Sequence, residues 1–493
     1  MKYTKGILLG LLVVLCMSVA VAADVSEDTL NDITITPNDY EISDISSQDL
    51  GEVSDSDNSQ QVTPRSNGQI TSDVSIDSSY DNQTWDVSGN VKITSNVAQS
   101  NNIAFNLNGN NITIDGLNIV NDETQPIAIN AIQNSQDINI INTNITIVNT
   151  EETETMGIVL NNTQNVLVEN CTVDISAVSQ DLYTPPDWTY SLKTSGILVN
   201  GGNNITLNDN VVNIANSTND GSISGTGEAI TVRSNANHVN IVNNIITGHD
   251  FPYTYGIKPY GVSNLVLIEN NTINLNSGNY ICGIQLTSTS NSILRRNTIT
   301  GTCFAESGQC YGFEAFAYGI VISSSYKPTA SESTNNLIEF NNIDITANVT
   351  YGIELNIADN TRVFNNTVDV DGEVVMALGM YNSSYCQIKD NNFTVTGNTR
   401  TLNNSIYEAI PPVTTGIKIV CDENDTSQYN TISGNRINVE DTNNTNLYSI
   451  ILGNRVNNNV VIGNHLRAGN KYFVNQMISN NGTGNTINGN DKL

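Results

Sequence analysis

The chain has 493 residues, with 19 Lys and Arg against 49 Asp and Glu and a formal net charge of −30. Such an acidic excess excludes nucleic acid and anionic lipid as partners, because both carry the same sign of charge. It leaves a protein with a solvated surface and no expected cofactor, calcium being the one ion that acidic side chains of this kind would suit.

Residues 1–23 read as a secretory signal: Lys2 and Lys5, an apolar run from Ile7 to Val19, then the small residues Ala20-Val21-Ala22-Ala23. The run is short for a membrane span, so cleavage and no membrane insertion afterwards are expected. Residues 24–68 follow as a leader. Between Asp24 and Val62 lie eleven acidic side chains and no basic one, mixed with Ser, Asn and Gln. That composition cannot bury enough apolar surface to order itself, and a disordered leader is predicted.

Residues 69–107 contain the strand-like pieces NVKITSN and IAFNLNG with Trp85 nearby, and are expected to form an N-terminal cap and first turn. From 108 to 493 one sentence repeats. Residues 256–276, GIKPYGVSNLVLIENNTINLN, show it whole: Gly-Ile, a polar corner, an alternating run, Asn270-Asn271, and a second alternating run. Aligned on the aliphatic residue two places after the asparagine, Asn210, Asn244, Asn271, Asn297, Asn341, Asn366, Asn391, Asn435, Asn464 and Asn490 form one column.

Period-2 strands in units of about 26 residues, with no helical stripe, predict a solenoid in which each unit is one turn that cannot bury its apolar face alone. Ile257, Val266, Ile268, Ile273 and Leu275 would point inward. The asparagines are expected at a bend, because Asn tolerates left-handed backbone and its amide can bond the same amide above and below. About thirteen turns are counted, from first strands near Ile103 and Ile127 to one near Phe473. Gly157, Gly196, Gly256, Gly283, Gly319, Gly352 and Gly416 are expected where the chain turns out of a variable loop into a strand. The larger loops, 176–195, 215–228, 248–255, 302–318 and 397–415, should leave one edge of the rod.

Six cysteines follow the signal, and secretion permits disulfides. Cys386 and Cys421 fall near one corner of adjacent turns and are expected to pair, as is Cys303 with Cys310 or Cys282. Cys171 occupies the asparagine column and is expected buried and unbridged. Sequons such as Asn82, Asn111, Asn204 and Asn403 make the chain a candidate glycoprotein where they are exposed.

The degenerate NNxI turns resemble the right-handed parallel β-helix proteins of the pectate-lyase-like class. With the signal and the acidic leader, the chain also resembles the adhesin-like surface proteins of methanogenic archaea. The resemblance implies an all-β right-handed parallel β-helix, and it places any site on the outward face of the first strand and the loops leading into it. The outward residues after each aliphatic anchor are Val159, Leu198, Thr231, Lys258, Gln285, Val321, Glu354 and Lys418. A hydrolase needs two neighbouring carboxylates, and this row holds one. A lyase acting on uronates needs a base and a cation near the acidic carbon, for which Lys258, Arg233 and Tyr260 on adjacent turns, with His249 and Asp250 just before them, are the candidates.

Aromatic residues crowd the loops: Tyr183, Trp188 and Tyr190, then Tyr253 and Tyr255, then Tyr311, Phe313 and Tyr318. Aromatic faces along one side of a rod suit the apolar C–H surfaces of sugars. The residues therefore favour a secreted or cell-surface, adhesin-like protein without catalytic activity, whose partners are glycans or surface proteins. A polysaccharide lyase using Lys258 or Arg233 as base is the alternative.

Overall fold

The computed structural model describes residues 68–493 apart from 152, 179–192, 218–224, 262–263, 305–314, 325–332, 399–412, 423–424 and 446. Each repeat runs through three strands. In one turn these are Thr226–Arg233, Asn237–Val242 and Ile245–His249, and in the next Tyr253–Tyr260, Asn264–Glu269 and Thr272–Ser277. Each strand pairs in parallel with its counterpart one turn on, which leaves three parallel faces around one core: a right-handed parallel β-helix.

The alternation in the sequence is the alternation in space. Ile257, Val266, Ile268, Ile273 and Leu275 are all buried, and one continuous apolar cluster runs from Ile70 to Ile478. Fourteen successive parallel pairings join fifteen rungs of the first face, from Gln69–Ile70 to Ile478–Asn480. At about 4.8 Å per rung the rod is roughly 70 Å long. Thirteen was short because 69–107 already carries rungs: Trp85 lies opposite Phe105, and Phe105 opposite Ile129. The anchors there are Phe105 and Ile129, and at the far end Ile478 takes the place expected for Phe473, which is exposed before the one-turn helix Val474–Met477.

The asparagine column is continuous, and its mechanism differs from the expectation in one respect. Asn271 donates from its amide to Asn297 Oδ1 at 3.0 Å and to Ile241 O at 2.8 Å, while its own Oδ1 accepts from the backbone and amide nitrogens of Asn244, each at 2.9 Å. Similar links run from Asn210 through to Asn490. The left-handed residue, however, is the one before: Asn243 (φ 59°), Asn270 (φ 55°) and Asn365 (φ 53°) make the bend, and the buried asparagines themselves have ordinary backbone.

A second file, not foreseen, lines the bend between the first and second strands. The backbone N–H of Ser292 donates to Asn336, that of Cys386 to Asn430, that of Asn430 to Asn459 and that of Asn459 to Asn485.

The glycines are likewise not at turns. Gly256, Gly283, Gly319 and Gly352 lie inside first strands without positive φ. A Cβ on Gly283 would come 2.6 Å from Gly319 O and 2.5 Å from Ile299 Cγ2, so the column is glycine because the next turn's backbone passes too close.

Candidate functional site

The outward face of the first strand carries a file of tyrosines, turned outward because the glycine and isoleucine that follow each of them both face the core and break the alternation there. Tyr255, Cys282, Tyr318 and Tyr351 stand opposite one another on successive rungs, each two residues before its anchoring isoleucine. Ring centroids are 5.5 Å apart from Tyr280 to Tyr318, and 5.1 Å from Tyr318 to Tyr351, which stack at 15°. Cys282 is small where its neighbours are tyrosines. The Tyr280 ring fills that gap, 5.4 Å from Tyr255 and 5.5 Å from Tyr318, and burial raises the Cys282 thiol pKa far above its usual value. Tyr253 extends the file, 5.6 Å from Tyr280.

One end of this face holds an ion pair. Lys258 Nζ lies 2.7 Å from Glu228 Oε1 and 3.7 Å from the Tyr255 ring centroid, and the other Glu228 oxygen accepts from Thr231 Oγ1 at 2.6 Å. Burial disfavours the Lys258 ammonium, but Tyr255 and the Glu228 carboxylate outweigh it and hold the lysine charged, its pKa above the ordinary value. Burial pushes Tyr255 itself up to about 12. Lys258 therefore does not serve as a base near neutral pH. A neutralised ammonium gripped by a carboxylate has no lone pair to accept a proton.

Three rungs further on, Glu354 points outward between the buried Ile353 and Leu355. Burial lifts its pKa to about 7, against the opposing hydrogen bond from Asn356. Asn356 is 6 % exposed, and its Oδ1 has no partner among the described residues. Glu354 lies opposite Gly379, and Gly379 opposite Lys418. A Cβ on Gly379 would meet the rings of Tyr381 at 3.3 Å and Tyr351 at 3.5 Å, so the missing side chain lets both rings lie over the strand.

The other expected residues scatter. Arg233 and Tyr260 are neighbours on the first face, Arg233 Nε donating to Asn200 Oδ1 at 3.2 Å and Tyr260 49 % exposed. A guanidinium is no base at any ordinary pH. His249 ends a third-face strand and borders a shallow hollow with Val148, Asp174 and Asn213, while the exposed Asp250 follows it with φ 65°. Neither sits beside Lys258 on the first face. Tyr183, Trp188, Tyr190, Tyr311, Phe313 and Cys310 lie outside the described residues.

The pairing of Cys386 with Cys421 is corrected. Both are thiols: Cys386 Sγ bonds Ala358 O at 3.2 Å inside the second file, and Cys421 Sγ bonds Asn454 O at 3.2 Å. Cys386 takes a place that asparagine fills on later turns, so its side chain faces the core and cannot reach a partner at the end of the first strand. Cys303 is buried at the end of Thr298–Cys303, and Cys282 is a thiol in the tyrosine file.

No protein-family model matches the chain, and no curated protein matches it. Solved structures do. The A-module of the mannuronan C-5 epimerase AlgE6 of Azotobacter vinelandii is similar at 12 % identity and a TM-score of 0.47, over 78 % of this chain and 90 % of that one. A tailspike protein of E. coli bacteriophage HK620, in complex with a hexasaccharide, is similar at 11 % identity and a TM-score of 0.42, over 85 % of this chain and 72 % of that one. The Dettilon tailspike protein is similar at 12 % identity and a TM-score of 0.38, over 84 % of this chain and 61 % of that one. The likeness is one of fold.

Proposed function

We propose that the chain is a secreted or cell-surface, adhesin-like β-helix that holds a glycan against the tyrosine-lined face of its first strand without transforming it. The observation that carries this reading is the file of Tyr253, Tyr255, Tyr280, Tyr318 and Tyr351, whose centroids follow one another at 5.1–5.6 Å. The partly exposed rings of Tyr253, Tyr255, Tyr280 and Tyr318, backed by the buried Tyr351, offer apolar surface to sugar C–H groups and hydroxyls to sugar hydroxyls. The file also moves the contact surface from the loops to the strand face, where the scaffold is rigid. The sugar-related names of the similar structures agree with this reading and do not carry it.

The test is calorimetric titration of the protein with neutral and acidic oligosaccharides. Binding that falls at least tenfold in Tyr318→Ala and Tyr280→Ala, with the fold kept by circular dichroism, supports the proposal. Full binding in both variants sinks it.

One observation favours a second reading. Glu354, rather than Lys258, has a pKa suited to moving a proton near neutrality. Unsaturated sugar products formed by the wild type and lost in Glu354→Gln would replace the binding reading with a lyase.

A further inference from the structure

Beyond the tyrosine file, the same face has an end that the proposed function does not use. Glu354, Gly379 and Lys418 stand opposite one another on three successive rungs. Over the central glycine lie the rings of Tyr351 and Tyr381. They make a floor with a carboxyl on one side and an ammonium on the other.

Two features of this floor are unexplained by the packing. Asn356 is 6 % exposed, its amide serves Glu354, and its Oδ1 has no partner among the described residues. A buried carbonyl oxygen left so is costly, and a donor supplied from outside would satisfy it. Lys418 has no carboxylate within ion-pair distance among the described residues, although Lys258 on the same face is fully neutralised by Glu228. Burial lowers the Lys418 pKa, with no negative group offsetting it.

We infer that this end of the face is a subsite for an acidic sugar unit, whose anionic substituent sits against Lys418 and whose hydroxyl donates to Asn356 Oδ1 over the Tyr351 and Tyr381 rings. The chemistry is complementary on each count. An orphaned acceptor needs an O–H, an uncompensated ammonium needs an anion, and the partly exposed Tyr381 ring, backed by the buried Tyr351, suits an apolar sugar face. Neutral hexoses answer two of the three demands and acidic ones all three. The inference rests on the proposed glycan contact and adds its charge class.

Glu354 then gates the subsite. The groups facing it are Tyr280, Tyr318, Tyr351, Tyr381 and Cys282, all with pKa values pushed up and none charged near neutrality. Among the described residues facing it, Glu354 is thus the one group that changes charge there, and its ionised form would repel the ligand's anion.

The experiment is calorimetry on the full chain with three probes of equal length: an oligogalacturonate, a sulfated oligosaccharide and a neutral oligosaccharide, each at pH 5.5 and pH 8. The expected result is preference for an anionic probe, a fall of at least tenfold in Lys418→Met with neutral binding unchanged, and weaker anionic binding at pH 8 that Glu354→Gln relieves. The two anionic arms tell carboxylate from sulfate. Equal binding of all three probes, or Lys418→Met binding the anionic probes like wild type, overturns the subsite and leaves the tyrosine-face contact standing. Failure of every probe to bind overturns both.

Discussion

Asn270 and Asn271 divide one bend between them: Asn270 takes the left-handed backbone at φ 55°, and Asn271 buries its amide between Asn244 and Asn297. The pair separates a conformational task from a hydrogen-bonding one, and each has its own expected cost. Asn271→Ala strands the backbone N–H of Asn244 and removes the side-chain donor to the Ile241 carbonyl, a loss of about 2–4 kcal/mol on the usual cost of unsatisfied buried groups. Asn270→Ala forces a less tolerant residue into left-handed backbone and costs about 1 kcal/mol. Because a solenoid need not unfold in one step, the check is amide hydrogen exchange. Asn271→Ala should lose protection on the rungs either side of 271, and Asn270→Gly should lose little.

The second file offers a gain instead. Cys386 stands where Asn430 and Asn459 stand on later turns, and Thr361 Oγ1, one turn earlier, is buried without a partner among the described residues. Cys386→Asn should extend the amide file and stabilise the rod by about 1 kcal/mol, which for a chain of this length raises the unfolding temperature by about one degree. Mass spectrometry after alkylation under denaturing, non-reducing conditions should label both Cys386 and Cys421, as thiols do.

The Lys258–Glu228 pair is nearly dry, with side chains 17 % and 2 % exposed. Glu228→Ala leaves a largely buried ammonium without its carboxylate and should cost about 2–4 kcal/mol. The double change with Lys258→Met should recover most of that, since an apolar pair has nothing left to compensate. A double variant as unstable as Glu228→Ala alone would show that Glu228 acts through Thr231 rather than Lys258.

Glu354 titrates near pH 7 in the folded chain and near 4.5 when exposed. The folded state therefore holds its proton more tightly, and stability from this group is complete below pH 4.5 and lost as pH rises through 7. The full difference is of the order of 3 kcal/mol, an upper bound because the side chain is partly solvated. Glu354→Gln should match wild type in denaturant unfolding at pH 4.5 and exceed it at pH 8. A variant equally stable at both would place the carboxyl's ordinary pKa in the folded protein.

Legibility followed periodicity. The column from Asn210 to Asn490 and the buried Ile257, Ile268 and Ile273 could be read because period-2 alternation and a fixed bend leave the same residue at the same place on every turn. The triplet Tyr-Gly-Ile at 255, 318 and 351 is equally legible as a tyrosine file, yet as sequence Tyr255 and Tyr318 read as loop aromatics and Tyr351 does not stand out at all. Register between rungs separated by long loops hid it. Tyr280 was harder, since only the small Cys282 beside it explains why its ring enters the file. Nothing in the composition placed Glu228 next to Lys258, because they stand thirty positions and a loop apart, and this one contact turned a candidate base into a fixed cation. The glycine column was visible, but its cause, the carbonyl of the following turn, exists only in three dimensions.

The parallel pairing of every rung has a further outcome for anything that lies along the first face. Distances there are set by backbone hydrogen bonds rather than by side chains, so the protein works as a graduated ruler whose marks are one strand apart. Duplicating a whole unit would add a mark without disturbing those already present, and a polymer long enough to span several would be recognised by its period as well as by its chemistry.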